Sequence, residues 1–161
     1  MTRGRFEALY EGEFASVFRT AYLITGDRQE ALDLAQEAFV RAYERWRSVR
    51  DLRNPAAWLQ RVVANLALSA ERRRHVTRRR APRIASEAAR SMHPSDPDLM
   101  EALRRLSPAQ RTVIVLRYYT DQSIQQVADA LGKRPGTITA LASQGLARLR
   151  AELEERIVDE A

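Results

Sequence analysis

The chain has 161 residues, 45% of them hydrophobic and 30% charged, with a formal net charge of +6 and no cysteine. That length suits one compact domain or two small ones, and the absence of thiols excludes disulfides and thiolate metal sites, which fits a reducing cytosol. No apolar run is long enough for a membrane helix, and the opening MTRGRFEALYEGEF carries acids in place of a signal peptide's apolar core, so a cytoplasmic protein without membrane insertion is expected.

In chain order, Phe6, Leu9, Tyr10, Phe14, Val17, Phe18, Ala21 and Tyr22 recur at three- and four-residue steps, which predicts a helix over Phe6 to Thr25 ended by Gly26. Asp27 and Glu30 form a D-x-x-E capping box for a second helix, whose Ala31, Leu34, Ala35, Ala38, Phe39, Ala42 and Trp46 make one buried stripe. Asp33, Gln36, Glu37 and Arg41 lie off that stripe. Taken alone they are an ordinary wet face with a Glu37–Arg41 pair, worth a few tenths of a kcal/mol. Asn54 as N-cap and Pro55 at the first turn open a third helix, which buries Trp58, Leu59, Val62, Val63 and Leu66. Both tryptophans fall on apolar stripes and read as core.

The third helix runs into ERRRHVTRRRAPR, where the charge concentrates. Residues 1–70 hold ten basic and nine acidic groups, residues 98–161 nine of each, and residues 71–97 eight basic against three acidic. Arg72, Arg73, Arg74, Arg78, Arg79, Arg80 and Arg83 can neutralise phosphates and release counterions, so a polyanionic partner is the natural inference. The neighbouring His75 and His93 sit in polar sequence and read as solvated side chains. No metal, cofactor or catalytic group is expected. SEAARSMHPSDPD, with two prolines, three serines and no apolar period, reads as an extended linker between two helical blocks.

Beyond it, Asp98 to Leu106 and Ser107 to Tyr119 read as two helices, the second started by Ser107 as cap and Pro108 at N1. Ser123 and Gln126 repeat the capping logic ahead of IQQVADALGKRPGTITALASQGLARLR. In that run Ala128 allows a close crossing, Gly132 supplies a turn with positive φ, and Val127, Leu131, Ile138 and Leu141 fill a seam, as a helix-turn-helix requires. The recognition helix then starts near Pro135 and Gly136 and turns Arg134, Thr137, Thr139, Ala140, Ser143 and Gln144 outward. Thr137 and Thr139 suit phosphates or thymine methyls and Gln144 suits adenine. Lys133, Arg134 and Arg148 supply the nearby positive charge.

Together RTAYLITGDRQEALDLAQEAFVRAYERW, NPAAWLQRVVANLALSAERRR and LSPAQRTVIVLRYYTDQSIQQVADALGKRPGTITALASQGLARLR resemble the ECF group of sigma-70 family RNA polymerase initiation factors. The resemblance implies an all-α fold of two small helical domains joined by a basic, flexible linker. Region 2 would occupy residues 1–75, the linker 76–97 and region 4 residues 98–161. It implies core RNA polymerase and promoter DNA as partners, an anti-sigma factor or auxiliary activator as a further one, and no enzymatic activity. Carried onto this chain, Asp33, Gln36, Glu37 and Arg41 become the face for the polymerase clamp. Asn54, Arg61, Asn65, Ser69, Arg72 and Arg73 become contacts to the minus-10 strand. Arg74, Arg78, Arg79 and Arg80 become linker contacts to DNA or polymerase, and Lys133, Arg134, Thr137, Thr139, Ala140, Ser143, Gln144 and Arg148 the minus-35 surface. Many relatives carry aspartate at Ser69, and relatives often carry lysine at Thr139 and arginine at Gln144, so this recognition face is unusually poor in charge. A stand-alone helix-turn-helix regulator that dimerises through its first block is the competing expectation. It leaves the resemblance over residues 17–74 unexplained.

Overall fold

The computed structural model describes residues 2–78 and 96–160, and every regular element among them is helical. The first block is built on α1 (Thr2–Thr25), α2 (Arg28–Glu44), a single turn α3 (Trp46–Val49) and α4 (Pro55–Arg78). α1 begins at Thr2, ahead of the predicted Phe6, because Arg3, Gly4 and Arg5 are exposed and leave no apolar signal; an Arg3–Glu7 pair at 3.3 Å spans this stretch. Gly26 stops the helix with a left-handed φ of 67°, and its N–H donates to the Tyr22 carbonyl at 2.7 Å. The Asp27 carboxylate then accepts from the Glu30 amide at 3.0 Å and starts α2.

α2 ends one residue short of Arg45, so the expected continuous helix to Trp46 is broken. The break gives Trp46 its own direction: it is buried, with its ring 5.4 Å from Phe6 and perpendicular to it. Four alanines of α2, Ala31, Ala35, Ala38 and Ala42, are fully buried and let α1 and α4 approach its backbone, while Phe39 fills the wider end against Tyr10 and Phe14. One polar chain crosses this core. Thr20 Oγ1 donates to Gln60 Oε1 at 2.6 Å and Gln60 Nε2 donates to Ser16 Oγ at 2.9 Å, which satisfies a glutamine that apolar periodicity gives no reason to bury.

The second block comprises α5 (Pro97–Arg104), α6 (Pro108–Ile114), α7 (Ile124–Leu131) and α8 (Pro135–Glu160). Asp96 caps α5, ahead of the predicted start at Asp98, and reciprocal capping boxes open α6 at Ser107/Gln110 and α7 at Ser123/Gln126. The helix predicted over Ser107 to Tyr119 loses its α-helical register at Val115, where a π-helical turn (Val115–Tyr119) follows. Val115 and Leu116 stay buried while Tyr118 and Tyr119 are exposed. Bonds from Thr120 Oγ1 to the Leu116 carbonyl (2.6 Å) and from Arg117 Nη1 to the Gln122 carbonyl (2.7 Å) close the turn.

The two blocks pack on each other. Ile24, Ala64 and Ala67 of the first share one apolar cluster with Val113, Leu116, Val127, Ala128 and Ile138 of the second. Met100, Leu103, Leu106 and Ile114 in turn join the cluster built by α1, α2 and α4.

Candidate nucleic-acid interface

α7 and α8 form the helix-turn-helix. Gly132 takes φ 65° at the end of α7, and Val127, Ala128, Ile138 and Ala142 are buried in the seam, with Leu131 and Leu141 at its edge. Gly145 adds a second close crossing: a Cβ there would lie 3.0 Å from Ile114 Cγ1, so α8 meets α6 at a distance that only glycine permits without a shift. With Ile138 and Ala142 turned inward, the same turns expose Arg134, Thr137, Thr139, Ala140, Ser143, Gln144 and Arg148, with Lys133 half-buried beside them. The Thr139 hydroxyl donates to the Pro135 carbonyl at 3.1 Å, so its donor is used within the helix. Two cations, Arg134 and Arg148, stand on the exposed part of this face.

α4 carries the second surface. Arg61, Ser69, Arg72 and Arg73 are exposed along it. Asn54 is exposed too, but its Oδ1 accepts the Ala57 amide at 3.0 Å, so it also serves as the N-cap of α4. Asn65 is half-buried, and its side-chain N–H groups are engaged: Nδ2 donates to the Arg61 carbonyl at 3.0 Å and to the Ala130 carbonyl of α7 at 2.8 Å. Arg74 turns toward acids, pairing with Glu30, with Asp27 at 3.7 Å and with Glu71 at 3.6 Å. α4 extends to Arg78, whereas Arg79, Arg80 and the rest of the predicted linker through Ser95 lie outside the described residues, as does His93.

A third surface lies on α2. Asp33, Gln36, Glu37 and Arg41 are all exposed, and Arg41 Nε meets Glu37 Oε1 at 3.1 Å as the i,i+4 spacing predicts. Val40 and Tyr43 stand among them at 50% and 66% exposure, an apolar component that the periodicity of the buried stripe did not single out. Among the described residues no group of acids and histidines is placed to hold a metal ion, and no helix is long and apolar enough to cross a membrane.

These surfaces coincide with the segments that match known protein families. Sigma-70 region 2 matches residues 9–77 and sigma-70 region 4 matches residues 97–149. The RNA polymerase sigma-E factor of Streptomyces avermitilis is 34% identical over 157 residues, covering 96% of this chain and 88% of that one. The chain belongs to the ECF group of the sigma-70 family of RNA polymerase sigma factors. A second relative in that group, the sigma factor SigL of Mycobacterium tuberculosis, is 32% identical over 159 residues and covers 92% of this chain and 88% of its own. Among solved structures, the sigma factor RpoE of Bartonella quintana, in complex with the anti-sigma factor NepR, superposes with a TM-score of 0.76 at 25% identity, covering 93% of this chain and 97% of that one. The likeness runs through both helical blocks, so this sigma factor acts in transcription initiation with core polymerase at promoters. The reading as a stand-alone dimeric regulator falls, since relatives along nearly the whole chain are sigma factors.

The residues of this sigma factor that sequence patterning missed lie between its two regions. Arg111, 5% exposed, donates through Nε to the Leu103 carbonyl (2.8 Å) and through Nη2 to those of Leu106 (3.2 Å) and Arg104 (3.3 Å), closing the end of α5. Its Nη1 reaches across to the Ile24 carbonyl (2.6 Å) and to Glu71 Oε2 (2.8 Å), a carboxylate 2% exposed. Arg104 Nη2 adds a bond to the Gly26 carbonyl at 3.0 Å. Tyr22 is buried beside this junction, and burial is the chief cause that pushes its hydroxyl above the ordinary tyrosine range, with Asp27 adding to the rise and Arg104 opposing it.

Proposed function

We propose that this sigma factor divides promoter reading between α4 and α8 and polymerase binding to α2. The exposed α8 face of Arg134, Thr137, Thr139, Ala140, Ser143, Gln144 and Arg148, with Lys133, enters the major groove of the minus-35 duplex. The first-turn amides and positive dipole end of α8 meet a phosphate. Asn54, Arg61, Asn65, Ser69, Arg72 and Arg73 track the minus-10 non-template strand, whose unstacked bases need cations along the phosphates to keep from re-pairing. Asp33, Gln36, Glu37 and Arg41 bind the polymerase clamp, with Arg74, Arg78, Arg79 and Arg80 completing the contacts toward the linker. In this reading residues 1–75 act as region 2, 76–97 as the linker and 98–161 as region 4.

The protein works by binding energy alone, without covalent chemistry, in the cytoplasm where polymerase and promoters are. The solved relative bound to an anti-sigma factor supports a partner of that kind here. The observation that carries the proposal is the partition of α8: Ile138 and Ala142 are sequestered, while the residues between and beyond them face solvent on the one helix that follows the turn. The test is to combine the purified chain with core polymerase and promoter fragments. Promoter-specific transcripts that fall when Arg134→Ala or Arg61→Ala is introduced support the assignment. Tight duplex binding with no transcript, or variants that transcribe like the parent, sink it.

A further inference from the structure

Among the described residues Gln60 is the only carboxamide that is buried, and it lies where α4 crosses α1. Its Oε1 accepts from Thr20 Oγ1 at 2.6 Å and its Nε2 donates to Ser16 Oγ at 2.9 Å. Ser16 and Thr20 are four residues apart on α1, about 6 Å along its axis, so one amide is tied to two points of the partner helix at once. The apolar contacts around it are mostly small: Val17 and Ala21 of α1 cluster with Leu59 and Val63 of α4, and Ile24 with Ala64 and Ala67. Apolar contact is non-directional, and alanines offer little to lock one helix against shift or rotation on another. The carboxamide does lock it, because displacement would pull it from both hydroxyls and leave an unsatisfied amide against apolar surface. A single buried polar group that fixes the register of packed helices is the best-attested use of such a residue.

We propose that Gln60 is a positioning residue for promoter reading: its bonds to Ser16 and Thr20 set the rotation and height of α4 on α1, and so decide which nucleotides the outer face of α4 meets. The inference rests on the assignment of α4 to the minus-10 strand. Arg61, Asn65, Ser69 and Arg72 follow one another at steps of four, four and three residues, which places them on one face that any movement of α4 carries as a block. One helical turn is about 5.4 Å, and a stacked strand advances roughly 3.4 Å per nucleotide. A displacement well short of a turn therefore changes the nucleotide that each side chain faces. Phosphates recur at every nucleotide, so the arginines recover their contacts after such a shift, whereas contacts to particular bases are lost.

Register and stability separate at this residue. Gln60→Met keeps the length of the side chain and removes its polar end. The Thr20 hydroxyl then still has the Ser16 carbonyl, 3.2 Å away, and Ser16 is only partly buried, so its own hydroxyl reaches water. No buried polar group is stranded. The unfolding constant is expected to change by no more than about tenfold, which leaves the chain folded.

A chain without cysteine makes the test direct. Ala15 of α1 and Ala57 of α4 are exposed and belong to none of the assigned binding faces, so Ala15→Cys with Ala57→Cys carries a spin-label pair that reports the distance between the two helices. The parent is expected to give one narrow distance and Gln60→Met a wider or displaced one. With core polymerase added, binding is compared for a single strand from the minus-10 segment of a promoter that the parent transcribes and for a scrambled strand of the same composition. Gln60→Met is expected to lower that preference about tenfold while the salt slope of strand binding stays at the parent value. Thr20→Ser, which keeps the hydroxyl, is expected to match the parent in both measurements. If Gln60→Met does not fold, Thr20→Val takes its place, with the same widening and the same loss expected. An unchanged distance distribution overturns the proposal, and so does a strand preference that survives the change in distance. A flattened salt slope with preference retained also overturns it, since Gln60 would then support grip and not register. Arg61→Ala without effect on strand binding sinks the assignment of α4 and with it the promoter half of the proposal, while the distances still decide whether Gln60 sets the register.

Discussion

The exposed surfaces of α4 and α8 make opposite use of the same duplex-and-strand problem. α4 presents Arg61, Arg72 and Arg73 to solvent and leads into further arginines, whereas the recognition face of α8 presents two threonines, a serine, an alanine and a glutamine between Arg134 and Arg148. Cations on phosphates release counterions and hold without regard to sequence; small polar side chains hold weakly but only where the groove suits them. The difference teaches that grip and register need not reside in one element. In the proposed reading, α4 and the polymerase supply most of the affinity and α8 sets the position.

Both faces are carried by helices that pack on a shared core, and Arg111 is where that packing can be broken most severely. Arg111→Ala leaves the Ile24 carbonyl buried without its partner and Glu71 with Arg74 at 3.6 Å in place of the 2.8 Å contact, and the expected loss is about 3 kcal/mol of stability, read from the denaturant midpoint of the purified chain. An unchanged midpoint would show that the Arg111 bonds add nothing net to stability beyond the apolar packing of the two regions. Charge can also be added to the neutral side of the comparison. Thr139→Lys with Gln144→Arg should steepen the dependence of duplex affinity on salt by about 1.8 in log–log slope, since each new phosphate contact adds roughly 0.9.

Removing charge from the basic side should act in the reverse sense. Arg61→Ala with Arg72→Ala is expected to flatten the salt dependence of single-strand binding by about 1.4, similarly across sequences, and a sequence-selective loss would move those arginines from grip to readout. The smallest effect sharpens how the α8 face is presented. Ser123→Ala removes the cap bond to the Gln126 amide at 3.1 Å and should cost about 1 kcal/mol in thermal or chemical unfolding, with minus-35 selectivity retained in the folded fraction.

Much of this architecture was legible because its determinants are local. The caps at Asp27, Asn54, Ser107 and Ser123 and the left-handed glycines at 26 and 132 each act within a few residues of where they stand. Where prediction slipped, the cause lay farther away. The break before Trp46 follows its burial against Phe6, forty residues earlier in the chain, and the π-helical turn at Val115 accompanies the burial of Val115 and Leu116 in a core shared with α1 and α4. The candidate surfaces were legible in the same sense, as residues left off a buried stripe. That Asn54 caps a helix was visible from its place before Pro55; that Asn65 and Arg74 are held by other elements was not.

By itself the sequence determined the helices, the turn that makes the helix-turn-helix, the concentration of arginine after α4 and the likeness to ECF sigma factors, because periodicity, capping and charge are short-range properties of the chain. Only the tertiary structure decided that the two regions share a core and that Arg111 pairs with Glu71. Those partners stand 40 residues apart, and Arg111 and Ile24 stand 87 apart. No local pattern marks a buried arginine for a carboxylate so distant, since the choice is made by which helices pack and which carbonyls they leave to be satisfied.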